Sequence, residues 1–435
     1  MRPISALGPV QVVRFLYSVL LTLLLPVLLL RLWWRGRLNP AYRGRISERF
    51  GRLASQPPAG GIWVHAVSVG ETLAAVPLIR ALQQRYPDTP VLVTTTTPTG
   101  SAQVRRLFGD TVWHQYLPWD LPWLLAPFLK RLQPSLLVIM ETELWPNLIA
   151  ACDARGIPVM LANARLSARS ARGYQRFAAL TRPMLAGLDC VACQNTTDGQ
   201  RFVDLGLPAE RLTITGSIKF DLTIDTALAA QAEALRQSWG PARPVLILAS
   251  SHAGEDEALL DQLPALQQQV PELLLLLVPR HPERFDAVAA ELVRRGLAFV
   301  RRSEQPSVAS AHAASVYLAD TMGEMMRLLA ASDLVVMGGS LFDIGGHNPI
   351  EPAALGKPVL MGPYGFNFAD IVRELESAGG LQLTRLETLQ ADIGRLLADP
   401  RRGQQMGECG RQVVERSRGA VDRMLVLAQA LRQRG

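Results

Sequence analysis

The sequence predicts two doubly wound α/β domains behind an apolar amino-terminal helix. Two observations carry this. From residue 60 onward, uncharged runs rich in Val, Ile and Leu alternate with helical stretches, at the spacing of parallel βαβ units. The alternation stops near residue 222, restarts at Pro244, and the 435 residues suit two domains better than one. The expected divisions are residues 1–55, an anchor with a basic juxtamembrane segment; 56–222, a first domain; and 223–435, a second.

The amino-terminal element is FLYSVLLTLLLPVLLL, Phe15 to Leu30, without a charged residue. It is somewhat shorter than the ~20 residues that span a bilayer comfortably. Trp33 and Trp34 follow, then Arg31, Arg35, Arg37, Arg43, Arg45, Arg49 and Arg52 against the single acid Glu48. Membrane lipids with anionic head groups attract such a segment. A spanning and a half-inserted helix both fit, with Pro26 favouring a kinked, partly embedded one. A cleaved signal peptide is opposed by the positive charge after the run and the lack of a small-residue cleavage site. A spanning helix with arginines on its carboxyl side places the remaining chain in the cytoplasm.

In the first domain, GGIWVHAVSVGE (60–71) reads as a buried strand, Ile62 to Val69, running into Ser68-Val69-Gly70-Glu71. Gly70 is expected to turn the chain before a helix from Thr72 to Tyr86. Ligands of doubly wound sheets sit at the carboxyl ends of strands. Glu71 is therefore either a general base at a cleft mouth or a helix cap. Further strands are expected at Pro90–Thr97, Leu136–Met140, Pro158–Ala162, Cys190–Gln194 and Leu212–Thr215. At their ends stand Pro98-Thr99-Gly100-Ser101, an anion or sugar contact or an ordinary cap, and Glu141-Thr142-Glu143-Leu144-Trp145, whose carboxylates can shape an acceptor site. Arg165, Arg169, Arg172 and Arg176 share a helix face, either solvated or clamping a phosphorylated substrate. Lys219, in Gly216-Ser217-Ile218-Lys219, is one of three lysines in an arginine-biased chain. It either meets an anion or lies on the surface.

The second domain opens after a polar Ala/Gln-rich connector, Thr223 to Gly240. Strands PVLILA (244–249) and LLLLLV (273–278) end in Ser250-Ser251-His252 and Pro279-Arg280-His281. The most specific stretch is LVVMGGSLFDIGGHNPIEPAALGKPVLMGP (334–363). Its glycines allow close backbone approach, Pro349 fits a first helical turn, and that helix start forms an anion site. His347, Asn348 and Glu351 together point to a nucleotide, with Glu351 accepting from ribose hydroxyls. There is no GxGxxG or Walker-type loop.

Composition narrows the class. The net charge of +7 fits nucleic acid, a membrane surface or an anionic substrate. Cys190 and Cys193 have redox or zinc spacing without a second pair. In a strand they face opposite sides, so plain packing and a reduced cytosolic setting are expected.

HAVSVGE (65–71), TPTGS (97–101), METELWPN (140–147), ANARLSARS (162–170), TGSIKFD (215–221), VPRHPERF (278–285), DTMGEM (320–325) and GGHNPIEPAALGKPVLMGP (345–363) carry a resemblance along nearly the whole chain. The chain resembles the 3-deoxy-D-manno-octulosonic acid (Kdo) transferases of Gram-negative bacteria. The resemblance implies the GT-B fold, two Rossmann-like domains facing across a cleft, and an inverting transfer of Kdo from CMP-Kdo to a lipid A precursor at the cytoplasmic side of the inner membrane. It implies Glu71 as proton acceptor, and Pro279, Arg280, Met322, Gly323, Glu324, Asn348, Pro349, Ile350 and Glu351 as CMP-binding positions. Ser68, Gly70, Thr99, Ser101, Glu141, Arg165, Lys219 and His347 are expected acceptor or Kdo contacts. The resemblance implies no nucleic-acid partner. No metal and no cofactor beyond the donor substrate are expected. Rival readings are a GT-B enzyme using a UDP-sugar, a sugar-nucleotide 2-epimerase, and a membrane-tethered scaffold.

Overall fold

The computed structural model describes residues 8–53 and 57–433, so the expected boundary at 55/56 lies outside the described residues. The chain forms two compact units, Met1–Asp221 with Arg418–Gly435, and Leu222–Ser417. The last helix thus departs from the expected 223–435 assignment. Asp221 explains why: its carboxylate accepts from the Gly419 and Val421 N–H groups, each at 2.6 Å. It caps the Ala420–Arg432 helix from the end of the first unit.

The first unit holds a seven-stranded parallel sheet in the order β3-β2-β1-β4-β5-β6-β7. Its strands are β1 (Ile62–His65), β2 (Val91–Thr95), β3 (Trp113–Tyr116), β4 (Leu136–Met140), β5 (Val159–Ala164), β6 (Cys190–Cys193) and β7 (Leu212–Ile214). Both faces are covered, so the central strands are apolar without alternation. Successive residues still serve opposite faces. Trp63, Ile139 and Cys193 pack with Phe128, Leu148 and Phe202. Val64, Val138 and Cys190 pack with Leu78, Val104 and Met424. The two β6 cysteines therefore lie in different layers, as alternation requires.

Strand β1 is shorter than expected. It ends at His65 because Ser68 caps a helix that starts at Val69 and runs to Arg85. Gly70 lies in the first helical turn, where an added Cβ would meet nothing nearer than the Ser68 hydroxyl at 3.9 Å. No glycine turn is needed there. Strand β3 escaped the sequence reading, because its first two residues are only half-buried.

The second unit repeats the plan, in the order β10-β11-β9-β8-β12-β13-β14. Its strands are β8 (Val245–Ser251), β9 (Leu274–Pro279), β10 (Phe299–Arg301), β11 (Val316–Leu318), β12 (Leu334–Met337), β13 (Val359–Met361) and β14 (Gln382–Leu383). The expected connector is instead a helix, Leu228–Trp239. Its Trp239 is fully buried and stands edge-on to Tyr317, ring centroids 5.2 Å apart. Trp239→Ala should cost about 3–5 kcal/mol. Trp239→Phe should cost less, because it also removes an indole N–H that is buried without a partner. Urea denaturation followed by circular dichroism would rank the two.

Before the first sheet runs a helix, Pro9–Leu38, long and apolar enough to cross a membrane by length and composition. The basic stretch after it is only partly free for lipid. Arg45 donates to Glu48, to the Ser101 hydroxyl at 2.8 Å and to the His114 carbonyl. Arg49 is buried and donates to the Thr96 carbonyl at 2.7 Å. Both guanidinium groups stack on Tyr116. These two arginines fix the segment to the sheet, while Arg31, Arg35, Arg37, Arg43 and Arg52 stay exposed.

Candidate active site

In each unit the chain reverses its winding direction at one point, β1/β4 in the first sheet and β8/β12 in the second. A crevice opens there at the carboxyl ends of the strands. The candidate residues gather at these two places.

In the first unit, Ser68 caps the helix that carries Glu71, and the Glu71 carboxylate reaches back past the cap to Val67. The Ser68 hydroxyl accepts from the Glu71 N–H and donates to Glu71 Oε1 at 3.2 Å, while Glu71 Oε2 accepts from the Val67 N–H at 2.8 Å. Capping and chemistry are therefore not alternatives, since the cap holds the carboxylate in place. Glu71 makes no ion pair among the described residues. Burial pushes its pKa up to about 7, and the Glu143 and Glu141 carboxylates add to the rise. A carboxylate poised near neutrality is suited to take a proton.

Glu141 follows β4 directly with φ of 55°, an uncommon conformation for this residue that is found preferentially at functional sites. Burial, with Glu141 next to it, also raises the Glu143 pKa. Lys219 is half-buried, its pKa lowered by burial and raised by Glu141. Arg165 belongs to the same electrostatic group. Glu141 thus lies within electrostatic range of both Glu71 and Lys219, and Arg165 within range of Lys219. Thr99 is exposed at the first turn of the Pro98–Phe108 helix. Ser101 is not at the crevice: it is buried between Arg45 and the His114 ring. Arg169, Arg172 and Arg176 are all exposed on the Ala168–Arg176 helix, as either reading of the stripe requires.

In the second unit a cavity of about 160 Å³ lies between β8 and β12. Met325, Leu329 and Met337 form its apolar wall, and His347, Asn348 and Glu351 its polar side. Glu351 accepts from Asn348 Nδ2 at 3.4 Å, and burial raises its pKa. Pro349 caps the Ile350–Ala354 helix and does not begin it. With five residues, that helix is too short for the expected dipole site, and its Ile350 N–H is already taken by Asn348 Oδ1. Pro279 ends β9, and Arg280 is exposed with no ion pair among the described residues. Met322 and Gly323 are exposed. The Glu324 carboxylate, by contrast, is held by Arg302, Arg327 and Thr321, so it shapes its loop and is not free for a ligand.

Two residues of this site were not among the expected site residues: His252, read only as a strand end, and Glu255, not read at all. His252, just past the end of β8, meets His347 edge to edge, the rings nearly parallel with centroids 5.1 Å apart and the Nε2 atoms at 2.8 Å. Burial, with the neighbouring positive groups, lowers the pKa of His347 to about 4, so one neutral imidazole donates to the other. Glu255 is fully buried, and its carboxylate accepts from the N–H groups of His252, Gly339, Ser340 and Leu341. The capping position of Glu255 was the available signal. The glycine loop is close-packed as well: a Cβ on Gly338 would stand 2.4 Å from the Ser250 carbonyl oxygen. Among the described residues, no group of three or more His, Cys, Asp or Glu is arranged to hold a metal ion. A separate cavity of about 870 Å³ is lined by residues such as Pro134, Ser135 and Pro158 at the start of β4 and β5 and holds none of the candidates.

Two doubly wound units, one with a poised carboxylate at its switch point and the other with a small polar-walled cavity, define a two-lobed α/β enzyme of the GT-B architecture. The UDP-GlcNAc 2-epimerase of Neisseria meningitidis, solved with UDP-GlcNAc, shares this fold with a TM-score of 0.55 at 15% identity, over 84% of this chain and 99% of that one. A family model described as 3-deoxy-D-manno-octulosonic-acid transferase matches residues 44–222. The 3-deoxy-D-manno-octulosonic acid transferase of Haemophilus influenzae is 44% identical over 97% of this chain and 99% of its own. That of Bordetella pertussis is 41% identical over 95% and 98%. The chain belongs to the 3-deoxy-D-manno-octulosonic acid transferase family.

Proposed function

We propose that the chain is a membrane-attached inverting glycosyltransferase that moves Kdo from CMP-Kdo to a hydroxyl of a lipid A precursor. The observation that carries the reading is Glu71: a carboxylate at a switch point, oriented by its own helix cap, unpaired with any cation among the described residues, and with a pKa near 7. Glu71 takes the proton of the acceptor hydroxyl as its oxygen attacks the anomeric carbon of Kdo. The bond from that carbon to the CMP phosphate oxygen breaks, and the configuration inverts. Charge then grows on the phosphate. Arg280, exposed at the end of β9, is placed to stabilise it. The β8/β12 cavity takes the nucleotide, with Glu351 toward the ribose and the methionines against apolar surface. Glu141, Lys219 and Arg165 orient the acceptor, and the exposed arginines hold its phosphates.

Mass spectrometry of the product from purified protein, CMP-Kdo and a tetra-acylated lipid A precursor tests this. The expected product is the precursor carrying added Kdo, with CMP released. An unmodified acceptor, with CMP-Kdo merely hydrolysed, would contradict the reading. Donor class is tested separately: CMP should raise the melting temperature, and UDP at the same concentration should not.

A further inference from the structure

The helix Pro9–Leu38 carries the most exposed apolar surface of the molecule, with Leu23 71%, Trp34 67% and Leu30 64% accessible. We propose that it lies in the plane of one membrane leaflet and does not cross the bilayer. This rests on the membrane attachment proposed above and adds its geometry.

The first support is where the chain leaves the folded unit and where it returns. Tyr17 donates its hydroxyl to Asp120 at 3.1 Å, and Asn147 Nδ2 donates to the Ser18 hydroxyl at 2.9 Å. Asp120 is itself fixed, accepting from the Asn147 and Leu148 N–H groups at the start of the Pro146–Asp153 helix. Past the helix, the Trp119 N–H donates to the Arg49 carbonyl at 3.0 Å, and Phe50 meets the Trp119 ring edge-on at 5.0 Å. Trp119 and Asp120 are adjacent. The chain therefore departs at Ser18 and is back on the same turn by Arg49.

A spanning helix ends on the far side of ~30 Å of hydrocarbon. To reach Trp119 again, the return leg would have to recross it. That leg cannot do so. It contains the short helical turns Pro40–Arg43 and Ile46–Arg49, which reduce its reach, and it carries Arg43, Arg45, Glu48 and Arg49. Charged groups at the bilayer centre cost several kcal/mol each. It also folds straight back, since Arg43 Nε donates to the Trp33 carbonyl at 3.2 Å.

The second support is the division of the helix surface. Arg14, Ser18, Leu21, Leu25 and Leu32 recur at spacings of three, four and seven, share one face, and are all partly covered. Leu16, Leu23, Val27, Leu30 and Trp34 occupy the opposite face, and all are exposed. A helix surrounded by lipid needs no such division. One resting on a folded unit and sinking its outer face into a leaflet does, with that face some 5–10 Å deep. The exposed Arg31, Arg35 and Arg37 at its carboxyl end suit anionic head groups. The occupant of this face is the interfacial region of an anionic leaflet.

The test places single cysteines at exposed positions on either side of the apolar run, Gln11→Cys and Ala41→Cys, in the full chain carrying Cys409→Ser. The other three cysteines are buried. Right-side-out and inverted membrane vesicles from expressing cells are treated with a membrane-impermeant maleimide. Both cysteines should react in inverted vesicles and neither in right-side-out ones. Reaction of the two positions from opposite sides would overturn the in-plane helix while leaving membrane attachment intact. Recovery of the protein in the soluble fraction would overturn attachment itself.

Discussion

Glu71→Gln should lower kcat by about 10²–10⁴ while leaving CMP affinity close to that of the parent. The change keeps shape and the acceptor for the Val67 N–H, but removes the group that can take a proton. CMP affinity is the control, because the cavity proposed for the nucleotide lies in the other folded unit. The same substitution carries a stability signature. The Glu71 pKa is raised from 4.5 to about 7 in the folded protein, so the fold binds this proton more tightly than the unfolded chain does. That advantage is fully present below pH 4.5 and is lost as pH rises through 7. Glutamine does not titrate. Glu71→Gln should therefore gain stability relative to the parent between pH 5 and 8, on the order of 2 kcal/mol given the partial exposure of the site. Urea midpoints at the two pH values would measure it. Loss of turnover together with gain of stability at high pH separates a catalytic carboxylate from one that only caps a helix.

The second large effect is expected at Glu255. Its carboxylate satisfies four backbone N–H groups, those of His252 at 2.9 Å, Gly339 at 2.7 Å, and Ser340 and Leu341 at 3.1 Å each. Glu255→Ala would leave all four without their partner in a fully buried place, at about 3–5 kcal/mol. Glu255→Gln keeps one oxygen but turns an NH₂ toward N–H donors, and should still cost roughly 2 kcal/mol. Because these donors set the backbone beside His347 and Asn348, both variants should weaken CMP binding measured by calorimetry. Glu71→Gln should not. A Glu255→Gln protein with parental stability and CMP affinity would mean that the glycine loop is held by other contacts.

Much of the fold was legible because the central strands are buried on both faces. Runs such as LLVIM and LLLLLV need no periodicity to be seen, and six of their kind, β1, β2, β4, β5, β8 and β9, lie near where they were expected. The strands that were missed are edge-ward and short. Phe299–Arg301 is half-buried throughout, and Gln382–Leu383 is two residues long. The helix Leu228–Trp239 was hidden by its Ala/Gln composition, and Trp239 was its one strong apolar signal. Two helices that were not expected carry internal prolines, Pro127 and Pro264, which interrupt a helical pattern in sequence.

The site divides in the same way. Glu71 was legible because it stands where a strand-like run meets a helical pattern, which is a local signal. Ser101 misled, because its partner Arg45 is 56 residues away and in a segment that reads as juxtamembrane. The Glu324 carboxylate is held by Arg302, 22 residues away, as well as by its near neighbours Thr321 and Arg327. Local motifs announce which residues stand at a strand end, whereas the competing partners that decide their freedom come from distant segments brought together by folding.

The most direct measurement of the central claim is the pH dependence of kcat/KM for Kdo transfer between about pH 5.5 and 8.5. The parent should rise about tenfold per pH unit on the acid side and level off above a midpoint near 7, matching the Glu71 carboxyl. The residual activity of Glu71→Gln should lack that rise. A flat parental profile across the range, or the same rise in the Gln variant, would contradict Glu71 as the group that takes the proton.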